Sequence, residues 1–249
     1  MIWLVNHDYV TEGDGLAIRS DGLRTKKRIL QSCVRLFLEN GYHQTTIQQI
    51  MKEAQVSASS IQNLFHSKDG ILLELVEFMF ENQFGMARSV AGAALPPVYV
   101  YAAETALQIT LTELNENLRQ IYLEVYTQER LLAYIQRATA RELYQIFGPY
   151  QPELTEQDFV ELEYGTSGLM RGYMASPCTA EFTLERKLEK FLTLALRGFR
   201  VPEDEVQQVL RFLAGQDLRG IAQSVMEELF RQLAMRYEFL LDGLLPPEK

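Results

Sequence analysis

Two adjacent hydroxyls at Thr45 and Thr46, a third at Ser57 and an ammonium at Lys68 bracket a run of small and amide side chains: Ala58, Ser59, Ser60, Gln62 and Asn63. Residues of these types can do recognition chemistry on a nucleic acid. Asn and Gln can pair bidentately with an adenine edge, Ser can donate or accept, and small uncharged neighbours allow close approach to the bases. Hydroxyls and N–H groups at helix N-termini suit phosphate oxygens. Ser67 reads as the cap of a helix whose first turn holds Lys68. A cation at that end opposes the helix dipole, and a phosphate filling the site would account for it. Taken alone, the same run also fits an ordinary polar helix face with ordinary caps.

The elements that would position these residues are short and helical. Ile29, Leu30, Cys33, Val34, Phe37 and Leu38 make one wide stripe on a helix from about 25 to 40, and Asn40-Gly41 supplies the stop. Thr45 with Gln48, or Thr46 with Gln49, has capping-box spacing, so the second helix starts at one of these threonines. Gln55-Val56 leaves room only for a tight turn before Ser57 caps a third helix over 58–64. Two short helices joined so closely cross steeply, which exposes one face of the second. Ile61 and Phe65 point inward on this reading, and Cys33 is core rather than a reactive thiol.

Charge supports a division of labour. The chain of 249 residues carries a formal net charge of -9. Residues 22–68 nevertheless hold seven Lys or Arg against two acids, so a basic module sits on an acidic body. That excludes a general nucleic-acid coat and predicts salt-sensitive binding at one end. Two distant cysteines, Cys33 and Cys178, suggest no disulfide framework and point to a reducing, cytoplasmic setting. No apolar run approaches the roughly 18 residues of a membrane span, so no membrane partner is expected, and Met1–Val5 lacks the basic leader of a signal peptide.

Beyond the third helix the pattern stays helical, with helices expected near 68–90, 98–114, 117–147 with a break, 155–175, 182–199, 203–214 and 217–242. No alternating strand pattern occurs. The fold class is therefore all-α, with an N-terminal tail over 1–21, a three-helix helix-turn-helix domain over 22–68 and a larger helical domain over 69–249. No catalytic, metal or cofactor site is expected. His7, His43 and His66 lack metal spacing, Gly165-Thr166-Ser167-Gly168 is no nucleophile elbow, and no phosphate-cradling Gly-Lys loop is present. The acids Glu153, Glu156, Asp158, Glu161 and Glu163 read as a solvated helix start.

Residues 24–81 resemble the DNA-binding domain of the tetracycline-repressor (TetR) family. The resemblance rests on Arg28-Ile29-Leu30, Leu36-Phe37, Gly41-Tyr42, Thr45-Thr46-Ile47, Ile50, Val56-Ser57, Ile61, Phe65 and Ser67-Lys68, in that order and spacing. It implies a homodimeric regulator, usually a repressor, whose third helix enters the major groove of a palindromic operator in double-stranded DNA. A small ligand in the C-terminal domain would then release it. Carried over by position, Thr45 or Thr46 and Lys68 look like phosphate contacts, and Ser57 to Asn63 like the reading segment. This chain departs from the family at Gln62, where an aromatic is common, at Ala58, where a base is common, and at Gln55, where Gly is frequent.

The body offers two further expectations. Phe78, Phe84, Tyr101, Tyr122, Tyr126, Tyr144, Tyr164 and Tyr173 could line a pocket for a small apolar or aromatic effector, although single aromatics at helical spacing are more often core. Gly165, Gly168 and Gly172 fall on one face of a helix, where close approach of another helix would justify them; a locally broken helix beside a pocket is the other reading. With Leu188, Phe191, Leu192 and Ala195 they form the expected dimer interface. A regulator or adaptor with no small-molecule input is the alternative; an enzyme carrying a vestigial helix-turn-helix has little to support it.

Overall fold

The computed structural model describes residues 20–76 and 95–232, and every regular element among them is helical. Residues 1–19, residues 77–94 with the expected pocket residues Phe78 and Phe84, and residues 233–249 lie outside the described residues. In chain order the helices are α1 (Ser20–Asn40), α2 (Ile47–Ala54), α3 (Ala58–Phe65) and α4, described over 68–76. They continue as α5 (Pro97–Leu111), α6 (Glu116–Val125), α7 (Glu129–Phe147), α8 (Glu156–Ala175), α9 (Leu184–Gly198), α10 (Glu203–Ala214) and α11 (Leu218–Gln232). The expected break in the long 117–147 segment falls at Tyr126–Gln128. There the Thr127 hydroxyl donates to the Glu124 carbonyl at 2.7 Å, a local bond that competes with the helical ladder. Among the described residues, no helix is long and apolar enough to cross a membrane.

The body is organised around α5. Tyr101, Ala102, Ala103, Ala106, Leu107, Ile109 and Leu111 are buried on every side of this helix, as expected for an element apolar all round. It packs against α7, α8, α9, α10 and α11. At its base Phe147 and Phe199 stack with centroids 4.2 Å apart, and Tyr101 meets Phe147 edge-on at 5.0 Å.

A buried ionic network ties the end of α5 to the rest. Glu113 accepts from Lys187 Nζ through one oxygen, and from Arg119 Nη2 at 3.0 Å and the Cys178 N–H at 3.1 Å through the other. Lys187 also donates to the Ser176 carbonyl. Its side chain is 0% exposed and that of Glu113 is 3% exposed, so these charges have left water for one another. One acid thus fixes the α5–α6 turn, the start of α6 and the α8–α9 connection.

Candidate nucleic-acid interface

The sequence folds locally into two capped helices. Thr46 is exposed and caps α2, its hydroxyl accepting from Gln49 N at 3.2 Å while Gln49 Oε1 accepts from Thr46 N at 2.7 Å. Thr45 behaves differently. It is buried, and its hydroxyl donates to the Gly41 and Leu36 carbonyls at 2.9 and 3.1 Å. The expectation of a Thr45 phosphate contact is corrected on that ground: the hydroxyl closes the α1 terminus and is turned away from solvent.

Gln55 takes the left-handed conformation, φ 51° and ψ 52°, that a glycine would adopt without strain. The turn is held by Val56 N donating to Met51 O at 3.0 Å and by Arg28 Nη2 donating to Gln55 O at 2.7 Å. Ser57 then caps α3 by accepting from Ser60 N, and its oxygen lies 2.8 Å from the Ser59 hydroxyl. Ile61 and Phe65 are buried beneath α3. Ala58, Ser59, Gln62 and Asn63 are exposed on its far side, with Ser60 half-buried. The outer face of α3 therefore carries hydroxyls and amides, without a formal charge.

Lys68 is half-buried, and two of its three ammonium donors are spoken for. Nζ donates to the carbonyls of Tyr42 at 3.0 Å and Thr45 at 3.1 Å, and sits 4.2 Å from the Tyr42 ring centroid. The lysine in that first turn thus has structural partners of its own, beside the phosphate that the sequence suggested. One N–H remains for an external acceptor. Tyr42 in turn donates its hydroxyl to Asp69. Burial first, and then Asp69, push the phenol above its ordinary pKa.

Internal pairing also tempers the basic count. Lys26 pairs with Glu74 at 2.6 Å, Arg35 pairs with Glu53, and Arg28 holds the Gln55 carbonyl. Lys27 and Lys52 are exposed. The head meets the body at a narrow seam that sequence reasoning missed. Asn117 at the start of α6 donates to the Leu38 carbonyl at 2.8 Å, and His43 Nε2 lies 3.1 Å from Glu124 Oε2. Gly41, at φ 84°, lies directly under Asn117; a Cβ there would sit 3.1 Å from Asn117 Oδ1. A glycine followed by Tyr was legible as a helix stop, but nothing in the pattern located its partner 76 positions away.

Inside the body, a cavity of about 60 Å³ lies among α5, α6, α7, α8 and α9, lined in part by Tyr101, Glu104, Tyr126, Glu163, Thr166 and Phe191. Of the expected pocket residues, Tyr101 and Tyr126 reach it. Tyr122 is buried in the core away from it, and Tyr173 is half-buried against Phe182 and Phe191. Tyr144 and Tyr164 are 39% and 57% exposed, so they are corrected from pocket to surface. The expected uncharged lining is also corrected, because acids face the cavity. Glu163 had read as part of a solvated run, yet it is 5% exposed. It shares the inner face of α8 with Phe159, Ser167, Met170 and Met174, a three-and-four spacing that could have revealed it. Burial raises its pKa to about 7, with the Thr166 hydroxyl bond pulling the other way.

Gly165, Gly168 and Gly172 face open space on α8, with nothing within 4 Å of a Cβ placed at any of them. Leu188, Phe191, Leu192 and Ala195 are buried within their own chain. Those four are corrected from interface to core, because the apolar stripe of α9 is already covered by the body.

Residues 29–75 match the family model described as bacterial regulatory proteins of the tetR family. The chain is 28% identical over 93 residues to the uncharacterized HTH-type transcriptional regulator YuxN of Bacillus subtilis (strain 168), covering 37% of this chain and 30% of that protein. It is 30% identical over 106 residues to the probable HTH-type transcriptional regulator YttP of the same strain, covering 42% of this chain and 50% of that protein. The chain therefore spans half or less of the curated relatives it matches. In fold it is similar to a TetR-like transcriptional regulator from Rhodococcus sp. RHA1, with a TM-score of 0.50 and 15% identity over 72% of this chain and 97% of that one.

Proposed function

We propose that residues 29–75, which match the tetR family model, form a tetR-type DNA-binding head, and that the protein is a sequence-specific, homodimeric transcriptional repressor. Residues 22–68 are its DNA-reading unit and residues 69–249 its effector-binding and dimerisation unit. The single observation that carries this reading is the outer face of α3, where Ser59, Gln62 and Asn63 stand exposed over a helix seated on buried Ile61 and Phe65. A helix held from behind, with amides in front, can be pressed into a major groove. The capped N-termini at Thr46 and Ser57, and the remaining Lys68 donor, would then meet phosphates on either side.

One α3 reads only a few base pairs, so two heads spaced by about 34–36 Å, one turn of duplex, supply a palindromic site. The open glycine face of α8 supports a second copy packing there, since small residues let helix backbones approach. Ligand response is supported by the internal cavity and by α6. Tyr126 at the end of α6 lines the cavity, while Asn117 and Glu124 on α6 hold the head through Leu38 and His43. A ligand that moves α6 would turn the head, with a coupling of about 1–3 kcal/mol in ordinary allosteric proteins.

Fluorescence polarisation of the full chain with duplex DNA from upstream of its own gene tests this. The expected result is specific binding that weakens as salt rises. Equal affinity for that duplex and for scrambled DNA would defeat regulation at that site.

A further inference from the structure

Among the described residues, the lining of the cavity among α5, α6, α7, α8 and α9 includes three carboxylates, Glu104 on α5, Glu142 on α7 and Glu163 on α8, and no Lys, Arg or His. We propose that it binds a protonated amine, the ammonium seated against Glu163 and the carbon chain lying on Tyr101, Tyr126 and Phe191. The proposal rests on the effector-responsive reading above and names the class of effector.

Glu163 carries the argument. One carboxylate oxygen, Oε2, accepts the Thr166 hydroxyl; among the described residues Oε1 meets no donor and no cation pairs with the group. A carboxylate this buried either holds a proton or needs a cation, because an unpaired charge in a low-dielectric interior is costly. Its pKa of about 7 leaves it ready to ionise near neutrality when a cation arrives. The remaining lining suits a primary ammonium, which has three N–H donors. Thr105, Thr139 and Ser167 offer hydroxyl oxygens and Gln108 an amide carbonyl, and three aromatic rings favour a cation over a neutral group. An anion would meet the Glu163 carboxylate, and a purely apolar ligand would leave its Oε1 without a donor. At about 60 Å³ the space fits an ammonium with a few carbons. Drug-sized pockets are larger, roughly 300–1,000 Å³.

Calorimetric titration of the full chain with n-butylammonium, and with 1-butanol as its neutral isostere, tests the assignment. At pH 8 the amine is expected to bind at least about tenfold tighter than the alcohol. The titratable groups facing Glu163 are Glu104, Tyr101, Tyr126 and Glu142, and α9 contributes only Phe191. Burial raises both tyrosines above their ordinary values, so they stay neutral at pH 8. Ionisation of Glu163 therefore sets the pH profile, and the affinity should fall about tenfold from pH 8 to pH 6. Glu163→Gln should bring the amine down to the alcohol's affinity, with an unchanged far-ultraviolet circular dichroism spectrum as the check on folding; should this variant unfold, the wild-type pH and isostere comparisons still decide. Alcohol binding as tight as the amine, or no amine binding at either pH, overturns the proposal. Operator release is read separately by polarisation. Amine binding that leaves the DNA complex intact would refute effector-driven release alone, whereas release by the alcohol and not the amine would refute the amine alone.

Discussion

Replacing Glu113 with Gln should destabilise the fold more than replacing its partner Lys187 with Met. Glu113 serves two cations, Arg119 and Lys187, as well as the Cys178 N–H. Its loss strands Lys187, whose side chain is 0% exposed, with the neutral Ser176 carbonyl as its hydrogen-bond acceptor. Arg119 keeps a second acid in Glu116. Losing one member of a buried pair costs about 3–5 kcal/mol, and Glu113→Gln belongs at the upper end of that range. Lys187→Met leaves Glu113 with Arg119 and an N–H donor, so it belongs at about 3 kcal/mol or less. For a chain of this size each kcal/mol shifts the midpoint by roughly 2–4 °C, giving a fall of roughly 8–20 °C for Glu113→Gln. The double substitution should recover part of the loss, since no lysine charge is then left buried without its acid. Thermal unfolding followed by circular dichroism decides. A Glu113→Gln midpoint within about 2 °C of the wild type, or a double variant no better than the sum of the singles, would refute the reasoning.

Three further outcomes follow from the same geometry. Gln55→Gly should raise stability by up to about 1 kcal/mol, because the left-handed strain is relieved while the more flexible glycine returns part of the gain through its unfolded state; a lower unfolding midpoint would contradict it. Glu163 has its folded pKa raised to about 7 from 4.5, so the folded chain holds a proton that the unfolded chain has released. That costs stability progressively as pH rises from about 4.5 to 7, by at most about 3 kcal/mol. Glu163→Gln should therefore gain on the wild type between pH 5 and pH 8 in urea unfolding, and an equal effect at both pH values would exclude the linkage. If α8 forms the proposed dimer contact, Gly168→Leu should lower the mass by light scattering from dimer to monomer, since the bulky side chain fills the open α8 face; an unchanged dimer mass would remove α8 from the interface.

Helix boundaries were largely legible because caps have local chemistry. Thr46 with Gln49, Ser57, and Thr155 with Asp158 each satisfy orphan N–H groups within three residues, and all three caps are present. What the sequence could not separate was identical chemistry in different surroundings. Thr45 and Thr46 are adjacent hydroxyls, and only the packing of α1 on α2 decides which one turns inward. The α9 stripe at Leu188, Phe191, Leu192 and Ala195 signalled burial correctly, but periodicity does not say whether the cover is the same chain or a second copy. The long-range partners were silent altogether. Lys68 reaches back to Tyr42 and Thr45, Asn117 reaches Leu38, and Glu113 reaches Lys187, contacts made by elements with no shared sequence pattern. Glu163 was hidden by its acidic neighbours on the exposed side of the same helix.

The outer face of α3 is tested most directly by polarisation titrations of Gln62→Ala and Asn63→Ala against the upstream duplex and a scrambled control. Loss of a base contact should cost about 1–3 kcal/mol on the specific duplex and leave the scrambled one unchanged, with altered preference at one position of the site. Unchanged specific affinity in both variants would contradict the placement of this helix in the groove.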